Sequence, residues 1–381
     1  MPQQPADSPL RLTGFRTVFA CLFLAGAATF TMPQPAHALS CGVHEKSVCK
    51  GEDKQFAGGF NPGTGYGGFG GGACRARQTP VIFIHGNADG SVSWDAPPGN
   101  VAGYPTPPRS VYAEMKARGY QDCELFGVTY LSAEERKLEN VGKNYHQPAK
   151  YRIIHDFILA VQAYTGKPQV DIVAHSLGVT QTLATLHYYK MSGSVRKFVN
   201  IAGGLRGLAS CQLTGFANPQ APTCGSQNLA DGNTFGFYPE GYAGVLWVSN
   251  PWTGTGTPRS LRQAPKHAAA TTFYTISAGN RDEVACAASG FHSGCHLTSK
   301  FDAAPNVRAQ IDIGAGADAA QLDLDWSDKS PFNRMGGDAS NGIGHFRAKD
   351  NAGTIIYRML QTDCRGLACA QEYRYGPKSA Y

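Results

Sequence analysis

A buried-looking strand that turns directly into a helix constrains this chain more than any other feature. Val170–His175 is an apolar run of strand length. Ser176-Leu177-Gly178 follows with no room for a loop, and Val179, Leu183 and Leu186 then mark a helical stripe expected to end near Gly193. Similar runs occur at Pro80–His85, Leu125–Tyr130, Phe198–Ile201, Thr272–Ser277 and Val307–Ile313. Such strands do not alternate with polar residues, as expected where both faces of a parallel sheet are covered. Between them, Ile154, Phe157, Ile158 and Val161 follow the i, i+3, i+4, i+7 spacing of an amphipathic helix that closes at Gly166, with Pro168 beyond. Strands alternating with helices predict an α/β fold: a mostly parallel central sheet flanked by helices on both faces. No fixed-period repeat and no Pro/Ser linker divides the chain, so residues 39–381 are expected to form a single domain.

Two stretches break the alternation and read as long loop insertions. Residues 205–270 hold Phe235, Phe237, Tyr238, Tyr242, Trp247 and Trp252, while residues 314–344 are rich in Gly, Ala and Asp. Long insertions in compact domains are often lids or binding loops. Phe237, Tyr238, Trp247 and Trp252 are therefore candidate substrate contacts; equally, such rings could simply cover the core. The glycine-rich segment 57–72 contains G-x-G-x-x-G at Gly63, Gly65 and Gly68. No strand leads into it and no helix leaves it, so a dinucleotide site is excluded on context and an irregular surface segment is expected.

The N-terminus has the three parts of an export signal: Arg11 and Arg16, an apolar stretch from Val18 to Phe30, and the small-x-small site Ala36-His37-Ala38. The apolar stretch falls short of the roughly 20 residues that span a bilayer. Residues 1–38 are thus expected to be a cleaved signal, with an extracellular mature chain and no membrane anchor. Cys21 leaves with the signal; Cys41, Cys49, Cys74, Cys123, Cys211, Cys224, Cys286, Cys295, Cys364 and Cys369 remain, an even set suited to disulfides. Nearness in sequence suggests Cys41–Cys49, Cys211–Cys224, Cys286–Cys295 and Cys364–Cys369, leaving Cys74 with Cys123, although spacing does not determine connectivity. No C-x-x-C pair points to a metal site. The net charge of +6 is spread thinly, without a Lys/Arg run, and gives no footprint for nucleic acid.

The strand–serine–helix junction reads Ala174-His175-Ser176-Leu177-Gly178, a variant of the G-x-S-x-G nucleophile elbow of the α/β-hydrolase fold. Small flanking residues are needed there because the turn brings strand and helix close. The bland alternative is a serine that merely caps a helix. His85-Gly86-Asn87 follows the first strong strand, where this fold supplies one oxyanion donor; the second is the amide after the nucleophile. The donors are expected to be the Asn87 and Leu177 amides, with His85 orienting the loop. In this fold the acid and then the base follow the serine in sequence. Asp282, after the strand at 272–277 and a glycine turn, is the expected acid, with Asp312, Asp323, Asp325 and Asp338 as rivals expected mostly in solvent. Glu283 is adjacent to it. His345, in the glycine-rich Asn341–Phe346 with a helix expected to run on to about Met359, is the expected base ahead of His267, His292 and His296.

The segments LSCG, YGGFGGGAC, TPVIFIHGN, PPGNV, YAEMKARGY, VDIVAHSLGV, SVRKFVNIAGGLRGL, WVSNPWTG, SAGNRDEV and NGIGHFR resemble the extracellular poly(3-hydroxybutyrate) depolymerases that attack native-type amorphous granules. The likeness runs through the whole mature chain. It implies a lipase-like α/β-hydrolase without a separate polymer-binding domain, and a triad that falls on Ser176, Asp282 and His345 with oxyanion donors on Asn87 and Leu177. Asp231 and Leu246 depart from the Tyr-rich insertion that the resemblance would imply.

The expected activity is hydrolysis of short-chain polyhydroxyalkanoate esters by a monomeric secreted serine esterase, with an amorphous or insoluble polyester as substrate and no metal or cofactor in the chemistry. The alternatives are a triacylglycerol lipase or carboxylesterase and, in another class, a non-catalytic secreted polymer-binding protein.

Overall fold

The apolar runs pair side by side into one sheet. The computed structural model describes residues 39–45, 48–144, 146–208, 223, 270–285, 295–314 and 343–380. Residues 1–38 and the candidate contacts Phe237, Tyr238, Trp247 and Trp252 lie outside the described residues. A short hairpin, β1 (His44–Glu45) and β2 (Val48–Cys49), stands apart from the main sheet. The main sheet contains β3 (Lys54–Phe56), β4 (Gly67–Gly70), β5 (Val81–Ile84), β6 (Leu125–Thr129), β7 (Val170–His175), β8 (Val195–Ile201), β9 (Thr272–Ser277), β10 (Val307–Asp312) and β11 (Ser379–Ala380). Their order is β11-β10-β9-β8-β7-β5-β6-β4-β3. From β6 through β10 every neighbouring pair is parallel, while β4 and β11 run antiparallel to β6 and β10. This mostly parallel sheet with its strand-to-helix elbow is an α/β-hydrolase fold.

The chain makes β5, places β6 on one side of it, then crosses to place β7 on the other. Ligand crevices in open α/β sheets form at such reversals, beyond the carboxyl ends of the strands. The register levels those ends: Ile84 pairs with Ala174, His175 with Ile201, and Ile201 with Ile276.

Although the strands are apolar throughout, successive side chains serve opposite cores. Val81, Phe83, Val173, Val199, Ile201, Tyr274 and Ile276 belong to one buried cluster; Ile82, Ile84, Ile172, Ala174, Phe198 and Phe273 belong to the other. The first core is covered by α1 (Val111–Ala117) and by the helix at Gly353–Gln361 near the C-terminus. The second is covered by α2 (Pro148–Thr165) and α3 (Leu177–Tyr188). Ile154, Phe157, Ile158 and Val161 are all fully buried, and α2 closes at Gly166 with φ 66°.

Three local expectations change. The segment 57–72 is not wholly irregular surface: Gly67–Gly70 is a buried strand between β3 and β6. Glycine is required because a Cβ on Gly70 would overlap the Phe126 ring, while Phe69, its single side chain, packs against Phe83 and Tyr112. Helix α3 stops at Tyr188, short of Gly193, because Lys190 turns left-handed (φ 54°) and Met191 N–H donates back to the Leu186 carbonyl. The helix expected after His345 is two helices, α4 (His345–Asp350) and α5 (Gly353–Gln361). Between them the Asn351 side chain bonds both polar groups of Gly99, accepting from its N–H and donating to its carbonyl at 2.9 Å each.

Disulfides join Cys41–Cys49, Cys74–Cys123 and Cys364–Cys369. Cys211, Cys224 and Cys286 lie outside the described residues. Among the described residues no helix is long and apolar enough to cross a membrane.

Candidate active site

Ser176 sits at the sharp end of β7 with φ 53° and ψ −126°, a backbone region that non-glycine residues seldom occupy. Its N–H still donates to the Ile201 carbonyl at 2.9 Å, continuing the sheet ladder past the end of the strand. A capping serine would have extended backbone and a hydroxyl turned onto the first helical turn. Here the hydroxyl makes no cap bond. It lies 2.7 Å from His345 Nε2 instead.

Two glycines let the loop after β5 settle on this elbow. A Cβ on Gly86 would stand 2.9 Å from Ser176 Cβ and 2.8 Å from His175 Nδ1. A Cβ on Gly178 would overlap the His85 carbonyl. The Gly86–Asn87 peptide is held from beneath. His85 accepts from Tyr130 N–H at Nε2 (3.2 Å), so its Nδ1 carries the proton and donates to the Gly86 carbonyl at 2.7 Å. Since N–H and C=O of a trans peptide point oppositely, that bond also turns the Asn87 N–H. Burial pushes the His85 imidazole down to about 4, which keeps it neutral. The Asn87 side chain donates to the Val141 carbonyl and accepts from Asn144 Nδ2 at 2.6 Å. Leu177 N–H opens α3 and has no intrahelical acceptor.

The strand β9 ends in a short turn, Gly279–Arg281, which delivers Asp282 to the same edge. Asp282 Oδ1 accepts from the Ala285 and Val284 amides at 2.8 and 3.1 Å. Both carboxylate oxygens approach His345 Nδ1, at 2.9 and 3.0 Å. A carboxylate only accepts, so Nδ1 carries the proton and Nε2 offers its lone pair to Ser176 Oγ. His345 is the first residue of α4, and both it and Asp282 are buried. The structure thus brings Ser176, His345 and Asp282 into one hydrogen-bonded chain.

Of the rivals expected mostly in solvent, Asp312 is an exception. It is buried at the end of β10, where its Oδ1 accepts from Gly314 N–H at 2.7 Å, because the following backbone turns back over it. His296 lies in the turn Cys295–Leu297, and Asp323, Asp325, Asp338, His267 and His292 are outside the described residues.

Two residues beside this trio carry contacts that motif reading did not anticipate. Glu283 accepts from the His345 main-chain N–H at 2.6 Å. His175 Nε2–H donates to the His345 carbonyl at 3.0 Å. Each is adjacent in sequence to a triad candidate, which was the available clue. Burial, with the neighbouring His345 and Lys349, drives the His175 imidazole well below its ordinary range. Among the described residues no group of three or more His, Cys, Asp or Glu could hold a metal.

The family model for lipase (class 2) matches residues 78–253. No curated protein matches the chain. Bacillus licheniformis lipase BlEst2 in its mature form is 13% identical, with 64% of this chain and 86% of that chain covered and a TM-score of 0.38. Its propeptide form is 17% identical at a TM-score of 0.34, with 55% of this chain aligned to only 38% of that longer chain. Aspergillus fumigatus lipase B is 14% identical at a TM-score of 0.29, covering 54% of this chain and 38% of that chain. On its own sheet order and elbow the protein has an α/β-hydrolase fold, and the stretch 78–253 within it is similar to lipase (class 2).

Proposed function

We propose that this chain is a secreted serine esterase that hydrolyses short-chain polyhydroxyalkanoate, chiefly poly(3-hydroxybutyrate), through an acyl-enzyme. The reaction class rests on the 2.7 Å approach of Ser176 Oγ to a His345 ring that is held from its far side by Asp282. His345 Nε2 takes the hydroxyl proton as Oγ attacks the ester carbonyl. The Asn87 and Leu177 amides receive the oxyanion; losing one such donor typically costs about 3–4 kcal/mol of transition-state stabilisation. The imidazolium then protonates the departing alkoxide of the next hydroxyacyl unit, leaving a 3-hydroxyacyl ester on Ser176. Water, deprotonated by the same imidazole, releases the acid and restores the serine. Asp282 stays ionised throughout and stabilises the imidazolium.

The substrate class is supported by the segment-by-segment resemblance from LSCG to NGIGHFR. Secretion is supported by the three-part N-terminal signal and by the three disulfides among the described residues. The lipase (class 2) match favours a second reading, a triacylglycerol lipase or carboxylesterase. Clearing of amorphous poly(3-hydroxybutyrate), compared with release from tributyrin and triolein, separates the two: exclusive triolein hydrolysis would reject the polyester assignment. Ser176→Ala is expected to abolish turnover while leaving polymer adsorption intact. Undiminished hydrolysis by that variant would reject the mechanism, and no hydrolysis by the wild type would favour a binding protein.

A further inference from the structure

We propose that Glu283 and His175 are positioning residues that clamp the main chain of His345 and thereby aim its imidazole. The inference rests on the serine-hydrolase reading above and assigns two residues that reading does not use. Two dipeptides grip the base in the same way. In His175-Ser176, the serine meets the ring at Nε2 (2.7 Å) and the histidine meets the carbonyl (3.0 Å). In Asp282-Glu283, the aspartate meets the ring at Nδ1 (2.9 Å) and the glutamate meets the N–H (2.6 Å). The nucleophile strand and the acid turn each hold the ring and the peptide of His345 together.

The need for such a clamp follows from where His345 sits. It comes 169 residues after Ser176 and opens a helix of only six residues. No strand fixes its Cα, and two side-chain torsions alone cannot compensate for a displaced backbone. With both peptide groups tied, only ring rotation remains, and Asp282 sets that. All four side chains except Ser176 are buried, so water does not compete for these bonds. His175 is also suited to the place chemically. Its ring centroid lies 4.7 Å from that of His345, so a charged His175 would oppose the imidazolium that catalysis creates. Its Nδ1 makes no hydrogen bond, which leaves Nε2–H as its polar contact.

The test compares full-length wild type with Ser176→Ala, Glu283→Ala, Glu283→Gln and His175→Phe. Circular dichroism checks folding. The activity-independent readout is the low-field proton NMR resonance of the His345 Nδ1–H held by Asp282. It is expected in wild type, Ser176→Ala and Glu283→Gln, whose amide oxygen still accepts, and to be shifted or lost in Glu283→Ala and His175→Phe. On p-nitrophenyl butyrate, Glu283→Ala and His175→Phe are expected to lose about 10- to 100-fold in kcat, the scale of a misplaced catalytic group, with KM little changed. Glu283→Gln should recover most of that loss. A wild-type spectrum without the resonance, variants that keep it unchanged, or equal losses in Glu283→Ala and Glu283→Gln would each overturn the clamp. If Glu283→Ala does not fold, His175→Phe and Glu283→Gln decide the matter. Equal hydrolysis by wild type and Ser176→Ala would instead reject the esterase reading, while the NMR comparison still judges the clamp.

Discussion

The buried Lys349 and the half-buried Asp89 form an ion pair, Nζ to Oδ2 at 3.3 Å, that ties the helix bearing His345 to the loop bearing the proposed oxyanion amide. The ammonium also donates to Ser93 Oγ and carbonyl at 2.8 and 3.1 Å, and lies 3.2 Å from Asp350. Burial works against its charge, but Asp350 and Asp89 overcome that and hold it above the ordinary lysine range. Lys349→Met should therefore leave the half-buried Asp89 without its cation, at a cost of about 1–3 kcal/mol. Urea denaturation would measure this, and a loss below about 1 kcal/mol would show that the pair does not hold the loop.

Acid should weaken the fold from about pH 6.5 downward through its buried imidazoles, although Asp171, which burial raises to about 6, works the other way. Burial lowers His85 to about 4 and His146 to about 3 from 6.5, and His175 lies well below that ordinary value. The unfolded chain thus binds protons near pH 6.5 that the folded chain refuses. Stability must fall as pH drops through the window from about 6.5 to about 4, with each neutral imidazole contributing about 1.4 kcal/mol per pH unit. Denaturation midpoints at pH 7, 6 and 5 check this; a flat profile would contradict the buried neutral state.

Gly178→Ala should impair the reaction more than the fold. The new methyl would meet the His85 carbonyl, a backbone atom that cannot swing away, and would push the loop carrying Asn87 off the elbow. Misplacing an oxyanion donor typically costs about 10²–10³ in kcat. Full kcat on p-nitrophenyl butyrate in a folded variant would show that the loop tolerates the displacement.

The disulfides should differ in weight. Cys74–Cys123 closes a separation of 49 residues and Cys364–Cys369 one of 5. Loop entropy assigns about 4 kcal/mol to the first and about 2 kcal/mol to the second. Paired Cys→Ala variants under chemical denaturation test the ranking, and a larger loss at 364–369 would reverse it.

The sequence by itself determined the local parts of this protein. A run of apolar residues, a serine with Ala174 and Gly178 two positions to either side, and an amphipathic stripe specify strand, bend and helix, because each is satisfied within a few residues. Ser176 at its bend and the Val170–His175 strand were legible for that reason. Breaks imposed from elsewhere were not. Nothing near Asn351 announces that its amide will bind Gly99, 252 residues away, and interrupt a helix. Gly67–Gly70 reads as loop by composition and becomes strand because it pairs with β3 on one side and β6 on the other. Only the tertiary structure set Asp282 on His345 while burying Asp312 apart, and turned Glu283 and His175 onto the His345 peptide groups. Those choices depend on which strand ends are level at one edge of the sheet, and that follows from strand order and register rather than from any window of residues.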